Sequence, residues 1–320
     1  MKTLRIDCHT HIGVDPAFYL SGNFPYACDY RALLAEARRN GIDRIMVFPF
    51  VSYFGLESLG MQPPSTPEND FSVPYAFENR RHLRELYDLG ADISETALPL
   101  VIVDPARKPQ EQVEVLRALK ERYPIRGMKI QATMIESPIR ALLEEGQCLV
   151  DLAAEWNVPL LIHSSIVAHD VWSQAGDILD VAEARPEVRF CLAHSCRFDR
   201  PSLERLGTMA NTWFDCSAHC IHCDCAVDGA FTVALPDRRL AADYRRPDEV
   251  MKVLYDLLPD RMMWGSDAPF YSYVEEKTGK TLKYLSTYER EVEALGLLSE
   301  KEQTAILHDN TLRFLGTEVT

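Results

Sequence analysis

Apolar residues along this chain fall into short unbroken runs, separated by longer stretches in which they recur every three or four positions. An unbroken run of four to eight reads as a strand buried on both faces, and the recurrence reads as a helix with one buried stripe. The first run, residues 3–8, leads into His9-Thr10-His11. Asp29 then caps a helix over 30–39, with Leu33, Leu34 and Ala37 on one face and Gly41 ending it. Residues 44–50 are predicted as the second strand, 75–89 as a helix, 98–103 as the third strand, 109–123 as a helix and 125–131 as the fourth strand. The alternation continues with helix 139–156 and the strand ending at His163, helix 171–184 and strand 188–193, and helix 201–209 and strand 212–216. Helix 247–258 and strand 262–266 complete eight strands, and 283–315 reads as two further helices.

Two segments have no clear period of their own, 51–73 and 217–246, and are expected as long loops following strands. Strands alternating with helices imply a parallel sheet, and eight such units favour closure. The expected fold is therefore α/β, a (β/α)8 TIM barrel with two long βα loops and C-terminal helices. No Gly/Ser or Pro linker divides the chain, so residues 1–320 are expected to form one domain.

Composition narrows the partners. A formal net charge of -14 disfavours nucleic acid and anionic membranes, because no basic patch is available to neutralise phosphates. The N-terminus enters a strand without the pattern of a signal peptide, and no apolar run is long enough to span a bilayer. A cytoplasmic location is expected, and the nine cysteines are expected to be reduced thiols.

Candidate chemistry sits where the strands end. His9, His11, His163, His194 and Asp267 each follow an apolar run, and in a parallel barrel those ends converge on one mouth. Neutral imidazoles with a carboxylate suit a divalent transition metal that keeps a position open for water. Alternation along a strand lets His9 and His11 face one ion together, with Cys8 and Thr10 pointing away. His82 and His308, on predicted helices, and His169, at a helix start, read as structural. Arg197, just past the sixth strand, is placed to clamp a substrate carboxylate, although a surface ion pair fits it equally. The cluster from Cys216 to Cys225 carries four thiols with His219 and His222. Structural zinc sites draw ligand pairs from two separated segments, and no second Cys-x-x-Cys is present, so an active-site loop in which His219 or His222 faces substrate is the preferred reading.

The pieces Asp7-Cys8-His9-Thr10-His11, Gly127-Met128-Lys129-Ile130, Leu161-Ile162-His163, Leu192-Ala193-His194 and Gly265-Ser266-Asp267-Ala268-Pro269, with the tail from Ile306 to Phe314, resemble the amidohydrolase superfamily, in its amidohydrolase-related branch. The resemblance implies one divalent ion, Zn²⁺ or else Mn²⁺, held by His9, His11, His163 and Asp267. It gives Asp267 and His194 the catalytic proton work, while the ion lowers the pKa of its water toward about 7. In some superfamily members a fourth-strand lysine is carboxylated and bridges two metals. In this branch Lys129 is expected instead to meet substrate or a buried ion pair, with Gln131 on the same face. Ser195-Cys196-Arg197 departs from a pattern in which glycines are common.

The leading functional expectation is a hydrolase acting on an ester, lactone or amide bond of a small, carboxylated substrate. The alternative is a nonoxidative decarboxylase of an aromatic or unsaturated carboxylic acid, and a barrel that only binds a ligand is the third reading. A small-molecule substrate is the expected partner, and a homo-oligomer is compatible with the sequence.

Overall fold

In the computed structural model, residues 3–61, 65–66, 71–90, 92–277 and 280–317 are described. Strands β1 (Ile6–Val14), β2 (Ala27–Cys28), β3 (Arg44–Pro49), β4 (Ala97–Ile102), β5 (Gly127–Ile130), β6 (Leu160–Ile162), β7 (Phe190–Leu192), β8 (Thr212–Asp215) and β9 (Met262–Met263) form one sheet. Its order is β2-β1-β3-β4-β5-β6-β7-β8-β9, and only β2 runs antiparallel. Backbone hydrogen bonds join β1 to the chain around β9: Cys8 N–H to the Trp264 carbonyl at 3.0 Å, Asp267 N–H to His9 at 2.9 Å and His11 N–H to Ala268 at 2.7 Å. The eight parallel strands thus close on themselves as the expected TIM barrel.

Side chains on the two faces of each strand enter different cores. Met46, Phe48, Leu100, Ile102, Leu161, Cys191, Trp213 and Met263 share the cluster inside the barrel. Val47, Val101, Met128, Ile130, Leu160, Ile162, Phe190, Leu192 and Phe214 pack outward against the helices. Both faces are apolar, which is why these strands read as continuous runs.

Strand β1 departs from expectation. His9 and His11 do not end it, since it runs on to Val14. Asp7 lies opposite Ile45 and Thr10 opposite Val47, so Cys8 and His9 together oppose Met46 in a β-bulge. The extra residue resets the alternation. Cys8 therefore joins the interior cluster with Ile6 rather than pointing away, and His9 and His11 face inward after it.

The helix Tyr30–Arg39 forms as expected, with the Asp29 carboxylate accepting from the N–H groups of Arg31 and Ala32. The expected helix over 139–156 is interrupted: a 3₁₀ turn, Ile139–Leu143, precedes a helix that starts at Gln147. The helix expected from 171 starts at Ala175, because the Asp170 carboxylate accepts from the N–H groups of Trp172 and Ser173 and holds that segment as a turn. The loop expected over 51–73 contains the helix Ser52–Ser58, while 62–64 and 67–70 within it lie outside the described residues. The loop expected over 217–246 opens with the helix His219–Val227. After β9 comes an unanticipated hairpin, β10 (Tyr273–Lys277) with β11 (Lys280–Tyr284). The tail holds the helix Tyr288–Glu293, then Glu300–Thr304 continuing through a π turn into Asn310–Leu315. Among the described residues, no helix is long and apolar enough to cross a membrane.

Candidate metal centre

One group of side chains converges at the barrel mouth. Ligand atoms of His9, His194 and Asp267 lie within 4.8 Å of one another, and all three residues are buried. His9 comes from the bulged stretch of β1, His194 follows β7 and Asp267 follows β9, so three strand ends contribute. His11 adjoins the group, its Nε2 donating to Asp267 Oδ1 at 3.1 Å, the same oxygen that lies 3.1 Å from His9 Nε2. Lys129 is fully buried on β5, with its Nζ 3.3 Å from His9 Nε2 and 4.7 Å over the Phe48 ring. Of the four expected ligands, the structure brings His9 and Asp267 into the mutual group, sets His11 against Asp267 and holds His163 apart.

His163 sits instead in a chain of hydrogen-bonding contacts that starts at Arg197. Arg197 Nη2 donates to His163 Nε2 at 3.1 Å, and His163 Nδ1 lies 3.0 Å from His194 Nε2. His194 Nδ1 lies 2.9 Å from Ser217 Oγ, 3.2 Å from the Ser217 carbonyl and 3.9 Å from Asp267 Oδ2. Ser217 Oγ donates to Asp215 Oδ1 at 2.5 Å. Both nitrogens of His163 are engaged, one by a cationic guanidinium.

Asp215, at the end of β8, is the functional residue that sequence reasoning missed. It is fully buried and accepts from His9 Nδ1 at 2.9 Å, while its other oxygen takes the N–H groups of His194 and Ser217 at 3.1 Å each. A carboxylate on one ring nitrogen fixes the tautomer and turns the other nitrogen toward a metal. The available signal was a carboxylate closing the seventh apolar run, the same signal that identified Asp267.

The electrostatics suit a cation. Burial alone would raise the Asp267 carboxyl, but the charges on His9 and His194 and hydrogen bonds from His11 and His9 outweigh it and hold the group well below the usual carboxylate range. Burial lowers His11 to about 4, and burial with the nearby Arg197 charge holds His163 and His194 well below the usual imidazole range. Neutral imidazoles are the form that binds metal. His9 is the exception: burial and Lys129 push it down, but Asp215 and Asp267 more than compensate and favour its cation. Positive charge is thus stabilised at the point the group encloses, and the donor set fits a divalent ion.

Arg197 is held by the Ser164 carbonyl at 3.1 Å, by His163 and by Nε2 of His222. It is presented by an unusual turn in which His194 to Phe198 all have positive φ, between 47° and 64°. Five successive non-glycine residues in that region cost on the order of 1 kcal/mol or more each. His222 therefore meets the site, whereas His219 turns its Nε2 to the Pro247 carbonyl at 2.8 Å. Gln131 is buried two residues past Lys129, and its Oε1 has no hydrogen-bond partner among the described residues. Cys220 Sγ meets the Arg290 carbonyl at 3.4 Å and Cys223 Sγ meets His219 Nε2 at 3.6 Å, so the thiols of this helix face different neighbours.

Solved structures share this architecture. An amidohydrolase from Burkholderia multivorans with bound zinc is similar at a TM-score of 0.62 and 15% identity, over 98% of this chain and 100% of that one. A 2,6-dihydroxybenzoate decarboxylase from Rhizobium is similar at 0.61 and 12%, over 98% and 99%. The 5-carboxyvanillate decarboxylase of Novosphingobium aromaticivorans, complexed with manganese and a nitrobenzoic acid, is similar at 0.63 and 13%, over 98% and 96%. No curated protein matches the chain in sequence. The amidohydrolase family profile matches residues 6–317, nearly the whole length, and on that match the chain belongs to the amidohydrolase family.

Proposed function

We propose that this chain is a metal-dependent hydrolase that cleaves an ester, lactone or amide bond in a small carboxylate-bearing substrate. The observation that carries the reading is the convergence of His9, His194 and Asp267, buried and within 4.8 Å of one another. These three would hold one divalent ion, Zn²⁺ or Mn²⁺, with His11 beside them and Asp215 orienting His9 from behind. When bound, such an ion supplies Lewis acidity and lowers the pKa of a coordinated water.

The chain's own groups have distinct tasks. Asp267, held in its charged form, accepts a proton from water at the mouth. His194 and His163, linked at 3.0 Å, offer a path for that proton toward the leaving group. Among the described residues, the hydrogen-bond partners of Arg197 are a carbonyl and two imidazoles, and it offers its charge to the substrate carboxylate, with His222 buttressing it. Gln131 supplies a buried acceptor without a partner among the described residues, and Lys129 keeps positive charge beneath His9.

A second reading, a nonoxidative decarboxylase, is favoured by the ring wall beside His11. His11 and Phe270 have ring centroids 4.9 Å apart and Phe50 and Phe270 5.2 Å apart, a surface suited to a planar apolar body. The experiment is a screen of the metal-loaded protein against lactones and against aromatic and unsaturated carboxylic acids in ¹⁸O-water. Solvent oxygen in the product is expected for hydrolysis. Carbon dioxide release without that oxygen replaces the hydrolase by the lyase, and failure of the wild-type protein to bind Zn²⁺ or Mn²⁺ removes both.

A further inference from the structure

We infer that Asp7 and Tyr288, which face away from the barrel mouth, position the metal ligands from behind; the inference rests on the metal-dependent reading above. Asp7 lies on β1 two residues before His9, and its carboxylate is fully buried. It accepts four hydrogen bonds. Oδ1 takes the His9 N–H at 3.1 Å and the Ser266 N–H at 3.0 Å, and Oδ2 takes Ser266 Oγ at 2.6 Å and the Tyr288 hydroxyl at 2.7 Å. Two of these donors are backbone groups of His9 itself and of the residue before Asp267. One carboxylate thus spans the seam where the barrel closes and sets the spacing between two of the three proposed ligands.

Tyr288 fixes the rotation of that carboxylate from outside the barrel. It begins the helix Tyr288–Glu293, and its ring packs on Trp264 and Tyr271. The other end of the helix engages a different part of the protein: Arg290 makes a two-pronged pair with Asp224 at 2.7 Å on each prong, and Glu291 accepts from the Cys220 N–H. The helix therefore offers its own control. Loosening it through Arg290 disturbs its docking on the helix His219–Val227, whereas removing the Tyr288 hydroxyl takes away one of the two hydrogen bonds to Asp7 Oδ2 and slackens the seam. Groups that orient metal ligands from behind typically govern about 10- to 100-fold in metal affinity.

The test is the Zn²⁺ dissociation constant, read by competition with a chromophoric chelator, together with the thermal midpoint, for wild type, Tyr288→Phe, Asp7→Asn and Arg290→Ala. Tyr288→Phe is expected to weaken Zn²⁺ binding by about 10- to 100-fold, and Arg290→Ala to leave it unchanged while lowering the midpoint by at least as much. Should Asp7→Asn fail to fold, Tyr288→Phe decides alone. Wild-type affinity in Tyr288→Phe, or an equal loss in Arg290→Ala, overturns the positioning role. A wild-type protein that binds no Zn²⁺ overturns the metal-dependent reading and this inference with it, whereas a metal-binding wild type with an unaffected Tyr288→Phe overturns this inference alone.

Discussion

Adding one methyl group at Gly265 should dislodge His9. Gly265 lies on the closing side of the barrel, where the β1 bulge presses against it. A Cβ built there would lie 2.7 Å from His9 Cβ, 3.1 Å from His9 N and 3.3 Å from Cys8 Sγ. Carbon atoms rest at about 3.5–4.0 Å, so the strands must separate by on the order of 1 Å. His9 cannot follow without loss, because its Nδ1 is 2.9 Å from Asp215 and its Nε2 is 3.1 Å from Asp267. A shift of that size takes either contact beyond hydrogen-bonding reach. Overpacking of this kind costs about 1–3 kcal/mol, and a displaced ligand should add a drop in metal affinity of about 10-fold or more. Gly265→Ala should therefore lower stability in urea and weaken Zn²⁺ binding together. Gly176 supplies the comparison: it is helical and a Cβ there meets nothing within 4 Å, so Gly176→Ala should be neutral or stabilising by up to about 1 kcal/mol. Wild-type stability and wild-type metal affinity in Gly265→Ala would refute the argument.

Serine at Cys220, Cys223 and Cys225 together should leave the metal content of the purified protein unchanged, because those thiols face different neighbours; loss of one equivalent by elemental analysis would place a second ion in that helix. Burial pushes the Glu291 carboxyl up to about 8, against hydrogen bonds with Cys220 and Ser286 and the charge of Arg290. Its folded value exceeds the unfolded value of about 4.3, so its contribution is complete at low pH and is lost as pH rises from there through about 8. Urea melts from about pH 5 to about pH 8.5 should show wild-type stability falling more steeply than that of Glu291→Gln, by on the order of a few kcal/mol. Equal slopes would show that Glu291 ionises freely in the folded protein.

The eight barrel strands were legible because each is buried on both faces, so its apolar run is unbroken and short. The helices Ser52–Ser58 and His219–Val227 were not, for opposite reasons. The first is brief and lies in a segment of mixed polarity containing Gly55. The second is buried nearly all round, from His219 to Ala226, so it has no polar stripe to mark its period. The hairpin from Tyr273 to Tyr284 alternates too weakly across Val-Glu-Glu-Lys to stand out from loop.

The site was legible as a set of residues and not as a set of contacts. Strand-end placement brought His9, His11, His163, His194 and Asp267 to one mouth, because a parallel barrel leaves no other destination for those positions. What divides ligand from neighbour is decided by atoms the pattern does not encode. The bulge at Cys8-His9 is a single inserted residue, invisible to a period-two reading, yet it turns Cys8 inward and aims His9 at Asp267. Arg197 was identified as a candidate for the substrate carboxylate, but its grip on His163 Nε2 depends on the left-handed turn from His194 to Phe198, which residue identity alone does not announce. That grip engages one nitrogen of His163 from a guanidinium 34 residues further along the chain. Asp215 and Asp7 complete the same logic: Asp215 ends the strand β8 and Asp7 lies within the first run, each is buried, and each hydrogen-bonds to His9 from behind the converging imidazoles.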